Sequence, residues 1–141
     1  FMKDWSIMNN AKYASLYGLS LREDDAKNTG DLFGTMALDE DWVAINQMIK
    51  YFKYGYGRTT DYLNYEIRNK NITREDAIKL VQKYDGSCDD KYIKDFCEYL
   101  NISKHYFWDI VSTFVNRDLF TINNKKNGKK FLPKFKVGKG L

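Results

Sequence analysis

The residues best suited to chemistry lie in one short stretch, Lys50 to Asp61, where a helical pattern breaks at a Gly-Tyr-Gly-Arg sequence. Gly55 and Gly57 permit backbone conformations and close approaches that a side chain would hinder. Three cations there can donate hydrogen bonds to phosphate or carboxylate, namely Lys50, Lys53 and Arg58. Two aromatic rings there suit the flat face of a sugar or a base, namely Tyr54 and Tyr56. The same stretch also fits a helix end followed by a new helix, with the cations simply solvated.

Two charged residues further along extend this candidate site. Asp61 follows Arg58 by three residues, so it is expected either to hold that guanidinium or to cap the following helix. Arg68 comes seven residues after Asp61 and therefore lies on about the same helical face. The single histidine, His105, falls in the first turn of another predicted helix, where we expect it at the surface rather than as a base. No Walker loop, HExxH, paired CxxC or nucleophile elbow occurs, so these residues alone specify no reaction and no metal site.

Composition narrows the class of protein. A chain of 141 residues with 43% hydrophobic and 30% charged residues predicts one globular domain rather than a disordered chain. No apolar run approaches the roughly 18 residues that a membrane span requires, and the N-terminal sequence lacks a signal-peptide core. The two cysteines, Cys88 and Cys97, have neither zinc-site nor redox spacing. We therefore predict a cytoplasmic protein without a membrane partner.

Charge is distributed unevenly along the chain. From Arg117 to the end there are eight Lys or Arg and one Asp, a balance of +7, whereas the preceding residues carry −3. Such a basic tail could contact nucleic acid or another anionic surface, although a run of this kind is more often a solvated, poorly packed terminus. The acidic body and the absence of a Lys/Arg-rich recognition helix argue against nucleic acid as a partner.

Most of the chain has the apolar spacing of amphipathic helices. The pattern predicts helices over 4–17, from 39 through an apolar stripe that reaches Phe52, from 60 or 61 to about 69, and over 92–100. Two more are predicted to begin at the caps Thr73 and Ser103, while 19–36 reads as an irregular connection. After Phe114 the helical period fades, and Leu119 to Ile122 could form a short strand. The prediction is an all-α fold, a compact bundle of five to six short helices over 1–118 with an irregular basic tail over 119–141.

Several segments of the sequence resemble those of a known family. The run from Ile49 to Asp61, continued by Glu66-Ile67-Arg68, resembles the C-terminal region of the N-acetyl sugar amidotransferases. These bacterial enzymes serve surface-polysaccharide and flagellin-glycan synthesis, including the acetamidino pathway of pseudaminic acid. The likeness covers roughly residues 4–118, and its further elements are Ile72 to Ala77, Lys83-Tyr84-Asp85, Phe96 to Leu100 and Phe107-Trp108.

The resemblance implies a reaction that this chain does not carry alone. Members of the family resemble ATP-pyrophosphatases: an N-terminal domain with an SGGKDS-type loop binds ATP with Mg²⁺ and would activate the acetamido oxygen by adenylylation. Ammonia from a separate glutaminase would then replace that oxygen, which gives an acetamidino sugar. The present sequence has no such loop. We therefore expect the helical C-terminal part of the enzyme, inactive by itself, with three partners: the ATP-binding domain, the glutaminase, and an N-acetyl sugar that is free or nucleotide-linked.

The resemblance also implies that the Lys50 to Asp61 turn binds the sugar or its phosphates at the domain interface. Lys53 and Arg58 would bind phosphate or carboxylate, and Asp61 would orient Arg58. The glycines would permit close approach of the ligand, and the tyrosines would stack on it. The full set of predicted substrate-binding residues is Lys50, Lys53, Tyr54, Gly55, Tyr56, Gly57, Arg58, Asp61 and Arg68.

Three other interpretations stay open beside substrate binding. The motif could merely seal the helical part against the missing domain, or the whole chain could be an interaction module that docks the glutaminase. A docking module would present an exposed apolar patch. A small nucleic-acid-binding helical domain is the third and weakest alternative.

Overall fold

The structure is a computed structural model, and it describes residues 6–35, 37–125 and 128–139. These residues form seven helices followed by one two-stranded antiparallel hairpin. The helices are α1 (Ile7–Ser15), α2 (Ala26–Thr29), α3 (Val43–Tyr54), α4 (Arg58–Arg68), α5 (Arg74–Tyr84), α6 (Asp90–Tyr99) and α7 (Lys104–Phe114). The strands are β1 (Phe120–Lys125) and β2 (Gly128–Pro133). The predicted helical class is confirmed, since the fold is mostly helical with only this small sheet.

The number of helices exceeds the predicted five to six because a one-turn helix forms inside the connection expected to be irregular. Asp25 caps this helix, α2, by accepting the backbone N–H of Lys27 at 2.9 Å. The two predicted caps are confirmed. Thr73 accepts the N–H of Asp76 at the start of α5, and Ser103 accepts the N–H of Tyr106 at the start of α7. Such caps satisfy backbone donors that a helix cannot pair internally.

The core lies where α3, α6, α7 and the hairpin meet. Each of these helices contributes one buried stripe, as expected from its apolar spacing. Aromatic rings fill much of this volume; the Phe52 and Phe131 centroids, for example, lie 4.7 Å apart. The buried members of the cluster are Ala44, Ile45, Met48, Tyr92, Ile93, Cys97, Phe107, Val111, Val115, Phe120 and Phe131. Among the described residues, no helix is both long and apolar enough to cross a bilayer.

The C-terminal stretch differs from the irregular tail that composition predicts. The short strand expected after Phe114 is present as β1, but it pairs with a second strand, β2, in a register that sets Ile122 opposite Phe131. Phe120 is only 1% exposed and belongs to the core cluster. The strand conformation explains why this basic segment is not a solvated tail. Successive side chains of a strand point to opposite faces, so one face can be buried while the other is exposed. Lys130 is exposed while its neighbour Phe131 is buried, so a lysine-rich segment still contributes to the core.

Candidate functional site

The Gly-Tyr-Gly-Arg sequence forms the junction between α3 and α4. Gly55 ends α3 with a left-handed backbone, φ = 79°, and its N–H donates to the carbonyl oxygen of Tyr51. A Cβ at Gly55 would also lie 3.2 Å from the Leu119 side chain. The fold therefore requires a glycine at position 55, because this residue ends α3 close to the hairpin. The helix-end interpretation of this stretch is correct for its backbone.

Asp85, at the end of α5, caps α4 from outside that helix. Its carboxylate accepts the N–H of Gly57 at 2.8 Å and both the N–H (3.3 Å) and the hydroxyl (2.7 Å) of Thr60. Burial raises the pKa of Asp85, while these hydrogen bonds act in the opposite direction. A Cβ at Gly57 would lie 2.8 Å from the Asp85 carboxylate. The close approach that the second glycine permits is thus used by Asp85.

Replacing Asp85 by Ala is expected to destabilise the domain by about 2 kcal/mol, because several first-turn donors of α4 lose their acceptor. Denaturant unfolding followed by circular dichroism measures this loss, and amide exchange at Thr60 should accelerate. Asp89→Ala is the matched control. Asp89 caps its own helix, α6, at a solvent-exposed site, so about 1 kcal/mol is expected there. Equal losses in the two variants would contradict a special role of Asp85 at the junction.

Arg58, the first residue of α4, is buried together with Asp31. Their side chains are 5% and 2% exposed, and the guanidinium Nη1 lies 3.9 Å from Oδ2 of Asp31. The other carboxylate oxygen of Asp31 accepts the N–H groups of Phe33 and Gly34 at 2.9 and 3.0 Å. The next residue, Thr59, donates its hydroxyl to the Gly30 carbonyl at 2.7 Å. The 30–34 loop therefore fixes the start of α4.

The Arg58 side chain lines a cavity of about 420 Å³, called here the Arg58 cavity. Its lining residues are Ile7, Gln47, Arg58, Asp61, Tyr62, Asn64, Tyr65 and Arg68. A guanidinium has five N–H donors, and its contact with Asp31 is longer than a hydrogen bond, so Arg58 keeps donors for a ligand. The volume falls within the range of about 300–1,000 Å³ that is typical of small-molecule sites. The arrangement can bind a polar or anionic group.

Three predicted site residues thus share one cavity, although their pairing differs from the prediction. Asp61 lies in the first turn of α4 and forms an ion pair with Lys50, whereas Arg58 pairs with Asp31. The roles expected for Asp61, to orient Arg58 or to cap the helix, are therefore not the contacts observed. Arg68 lines the same cavity as Asp61 from the last turn of α4, in line with the prediction that both lie on about the same helical face.

Three further predicted residues, Tyr54, Gly55 and Tyr56, line a second cavity of about 300 Å³, called here the tyrosine cavity. It is mostly apolar, and its lining residues are Tyr54, Gly55, Tyr56, Thr60, Val81, Leu119, Phe135, Lys136, Val137 and Gly138. Tyr54 and Tyr56 are 56% and 43% exposed at its rim. Lys53 lies over the rings of Tyr54 and Phe114, so the structure does not bring it to Arg58.

Lys50 connects the two cavities. Its ammonium pairs with Asp61 of the Arg58 cavity and lies 4.8 Å from the ring centroid of Tyr56, which lines the tyrosine cavity. The two cavities are therefore neighbours on either side of the α3–α4 junction. The sequence motif is one continuous stretch, but some of its side chains line the Arg58 cavity and others line the tyrosine cavity.

Other reactive groups lie elsewhere. His105 is 84% exposed and pairs with Asp109 at 3.3 Å, in line with its predicted surface position. Burial raises the pKa of the Cys88 thiol to about 12, which makes it a poor nucleophile. The described residues contain no group of His, Cys, Asp and Glu side chains arranged to hold a metal ion.

Sequence reasoning missed Asp31 and Asp85 as parts of the site. Asp31 was expected only in an irregular connection, and Asp85 only as one element of a family likeness. Each follows or precedes a glycine in a turn-like context, which indicates a turn but does not name the partner. Their partners at the start of α4, which are Arg58 for Asp31 and Gly57 and Thr60 for Asp85, are 25 or more positions away in the chain.

Comparison with known families decides where this architecture belongs. A family model described as LPS biosynthesis protein WbpG-like, C-terminal domain, matches residues 22–136. The chain belongs to this family. The match confirms the resemblance to the C-terminal region seen in the sequence, and it also includes the hairpin, which that resemblance left out. The WbpG-like domain is thus a domain of an LPS biosynthesis protein. Comparisons with curated proteins and with solved structures gave no significant match.

Within the WbpG-like domain, the family match covers both cavities almost completely. It contains all nine predicted site residues together with Asp31 and Asp85. Of the residues that line the Arg58 cavity, only Ile7 of α1 lies before the matched segment. The candidate site is therefore part of the family domain itself.

Proposed function

We propose that the WbpG-like domain is the sugar-binding part of an ATP-dependent amidotransferase that converts an N-acetyl sugar to its acetamidino form. The Arg58 cavity would hold the polar and anionic groups of this sugar. The observation that carries the proposal is the buried Arg58, whose guanidinium lines the cavity with donors to spare. Because the Asp31 contact is longer than a hydrogen bond, the N–H donors of this buried guanidinium favour a ligand with acceptor oxygens.

The charges around the cavity support an anionic ligand. Arg58 and Arg68 line it, and Lys50 reaches Asp61 at its edge. Asp31 and Asp61 offset two of these three cations, which leaves a net positive balance. Tyr62 and Tyr65 add ring surface and hydroxyl groups that suit the faces and edges of a sugar.

We assign ATP binding to a domain other than this one. The sequence contains no SGGKDS-type or Walker loop, and the charged donors of the Arg58 cavity are side chains rather than a glycine-rich row of backbone N–H groups. We therefore assign activation of the sugar to a separate ATP-binding domain, with ammonia supplied by a glutaminase. The present domain would bind and orient the sugar.

A titration of the 141-residue chain with UDP-N-acetylglucosamine tests the proposal. Amide shifts followed by NMR are expected around Gln47, at the start of α4 and near Arg68. Arg68→Ala should weaken binding by about tenfold, because a charge-assisted hydrogen bond to the ligand is lost. Lys79→Ala is the matched control, since Lys79 is a solvated cation on α5 whose ion-pair partner is Asp76. An absence of shifts in the folded chain, or equal effects of the two variants, would contradict the proposal.

The tyrosine cavity favours docking as a second function. It combines an apolar lining with two exposed tyrosines, which is the patch expected of an interaction module. We propose that this surface contacts the ATP-binding domain or the glutaminase. Adding the purified partner to the labelled chain should then shift signals of Tyr54, Tyr56 and Phe135. Shifts confined to other surfaces would rule this cavity out as the docking site.

A further inference from the structure

Gln47, on α3, is the feature of the Arg58 cavity that the proposed function does not yet explain. Its side-chain carbonyl oxygen, Oε1, is buried and has no hydrogen-bond partner among the described residues. Leaving such an acceptor unpaired lowers the stability of the free domain. Buried polar atoms without a partner are rare in proteins, and each one calls for an explanation. Gln47 lines the same cavity as Arg58, so rotation of its amide would bring this oxygen to a ligand there.

The chemistry of this pair of residues restricts the ligand. Arg58 can only donate hydrogen bonds, whereas the unpaired Oε1 of Gln47 can only accept one. A phosphate or carboxylate would satisfy Arg58 but has no hydrogen to donate to the Oε1 of Gln47. A ligand that satisfies both must present an N–H or O–H group together with an acceptor.

We infer that Gln47 recognises the acetamido group of the sugar by accepting its N–H, while Arg58 donates to an acceptor oxygen of the same ligand. The N–H and C=O of a trans amide point in opposite directions. A site that binds an acetamido group therefore needs a hydrogen-bond acceptor on the side of its N–H. Rotation about the last side-chain torsion of a glutamine is broad, so the amide of Gln47 can turn to the ligand without movement of α3. This role deepens the proposed function and depends on sugar binding in the Arg58 cavity.

The matched ligands for the test are UDP-N-acetylglucosamine and UDP-glucose, which differ only in an acetamido group against a hydroxyl group. The wild-type chain is expected to bind the acetamido compound about tenfold more tightly. Gln47→Met should reduce this ratio to less than about twofold, because methionine keeps the length of the side chain but has no comparable acceptor. Isothermal titration measures all four affinities.

Two controls separate recognition from folding. Gln47→Met removes an unpaired buried oxygen, so the thermal midpoint of the free domain should stay equal or rise. Asn46→Leu removes an amide from the neighbouring, exposed position of α3, and the ratio of affinities should not change. A loss of the ratio in Asn46→Leu would show that any change in α3 suffices, and would overturn the assignment to Gln47.

The outcomes distinguish this inference from the proposed function. If the wild-type chain binds both compounds equally, or if Gln47→Met keeps the tenfold preference, the role of Gln47 is wrong while sugar binding stands. If the folded wild-type chain binds neither compound, both the sugar site and the role of Gln47 are overturned.

Discussion

Replacing Arg58 by Ala is expected to destabilise the WbpG-like domain by about 3–5 kcal/mol, because the buried Asp31 carboxylate would lose its ion pair with the guanidinium. Asp31 still accepts the N–H groups of Phe33 and Gly34, which favours the lower end of that range. Urea unfolding followed by circular dichroism measures the change. The expected loss is a large part of the 5–15 kcal/mol that is typical of a whole domain.

A double variant shows whether the loss of stability in Arg58→Ala comes from the charge of Asp31. Asp31→Asn keeps the shape of the side chain but removes its charge, so Arg58→Ala combined with Asp31→Asn should be more stable than Arg58→Ala alone. If the two substitutions instead add their separate losses, the buried ion pair is not what couples the 30–34 loop to α4.

Arg58→Lys separates ligand binding from folding. Lysine keeps the positive charge near Asp31 but loses the planar fork that donates two parallel hydrogen bonds. Unfolding stability should therefore fall less than in Arg58→Ala. The affinity for UDP-N-acetylglucosamine should still fall about tenfold or more. An unchanged affinity in this variant would mean that Arg58 is structural and does not contact the ligand.

Replacing Phe120 by Ala is the other change with a large expected effect, a loss of about 3–5 kcal/mol in the free energy of unfolding. The ring is 1% exposed, and its centroid lies 5.3 to 5.7 Å from those of Tyr51, Phe52 and Phe135. Deleting it would leave a cavity between α3 and the hairpin. Thermal and urea unfolding both report this loss.

Leu132→Ala provides the matched control within the same hairpin. Leu132 is 37% exposed, so its removal should cost about 1 kcal/mol or less. A Phe120→Ala variant as stable as Leu132→Ala would mean that the hairpin is dispensable, as the predicted solvated tail would be. A large difference between the two variants would establish the hairpin as part of the core.

Local chemistry was enough to predict the helices and several of their boundaries. Thr73 and Ser103 cap α5 and α7 as predicted, because a cap and the N–H that it accepts are only three positions apart. The apolar spacing of α3 likewise predicts its buried stripe, since a helix repeats every 3.6 residues regardless of its neighbours. The same local pattern located the candidate site at the α3–α4 junction.

The partners within that site required the three-dimensional fold. Spacing left Asp61, three positions from Arg58, either to hold that guanidinium or to cap the helix, but the fold places Asp31 against Arg58 and Lys50 against Asp61. Which carboxylate is nearer to a guanidinium depends on how the 30–34 loop packs on α4, and no local period encodes this contact. Asp85 reaches Gly57 for the same reason, from the end of another helix.

The charge of the C-terminal segment predicted an irregular tail, and this prediction was wrong for a related reason. Its lysines are typical of a solvent-exposed segment. The segment nevertheless forms a hairpin whose alternate residues face α3 and α7. Pairing of β1 with β2 supplies the backbone hydrogen bonds, and burial of Phe120 and Phe131 supplies the apolar contact. Helix positions and caps could thus be predicted from neighbours in the chain. The ion pair of Arg58, the cap at Gly57 and the place of the hairpin could not, because each depends on contacts between segments distant in the sequence.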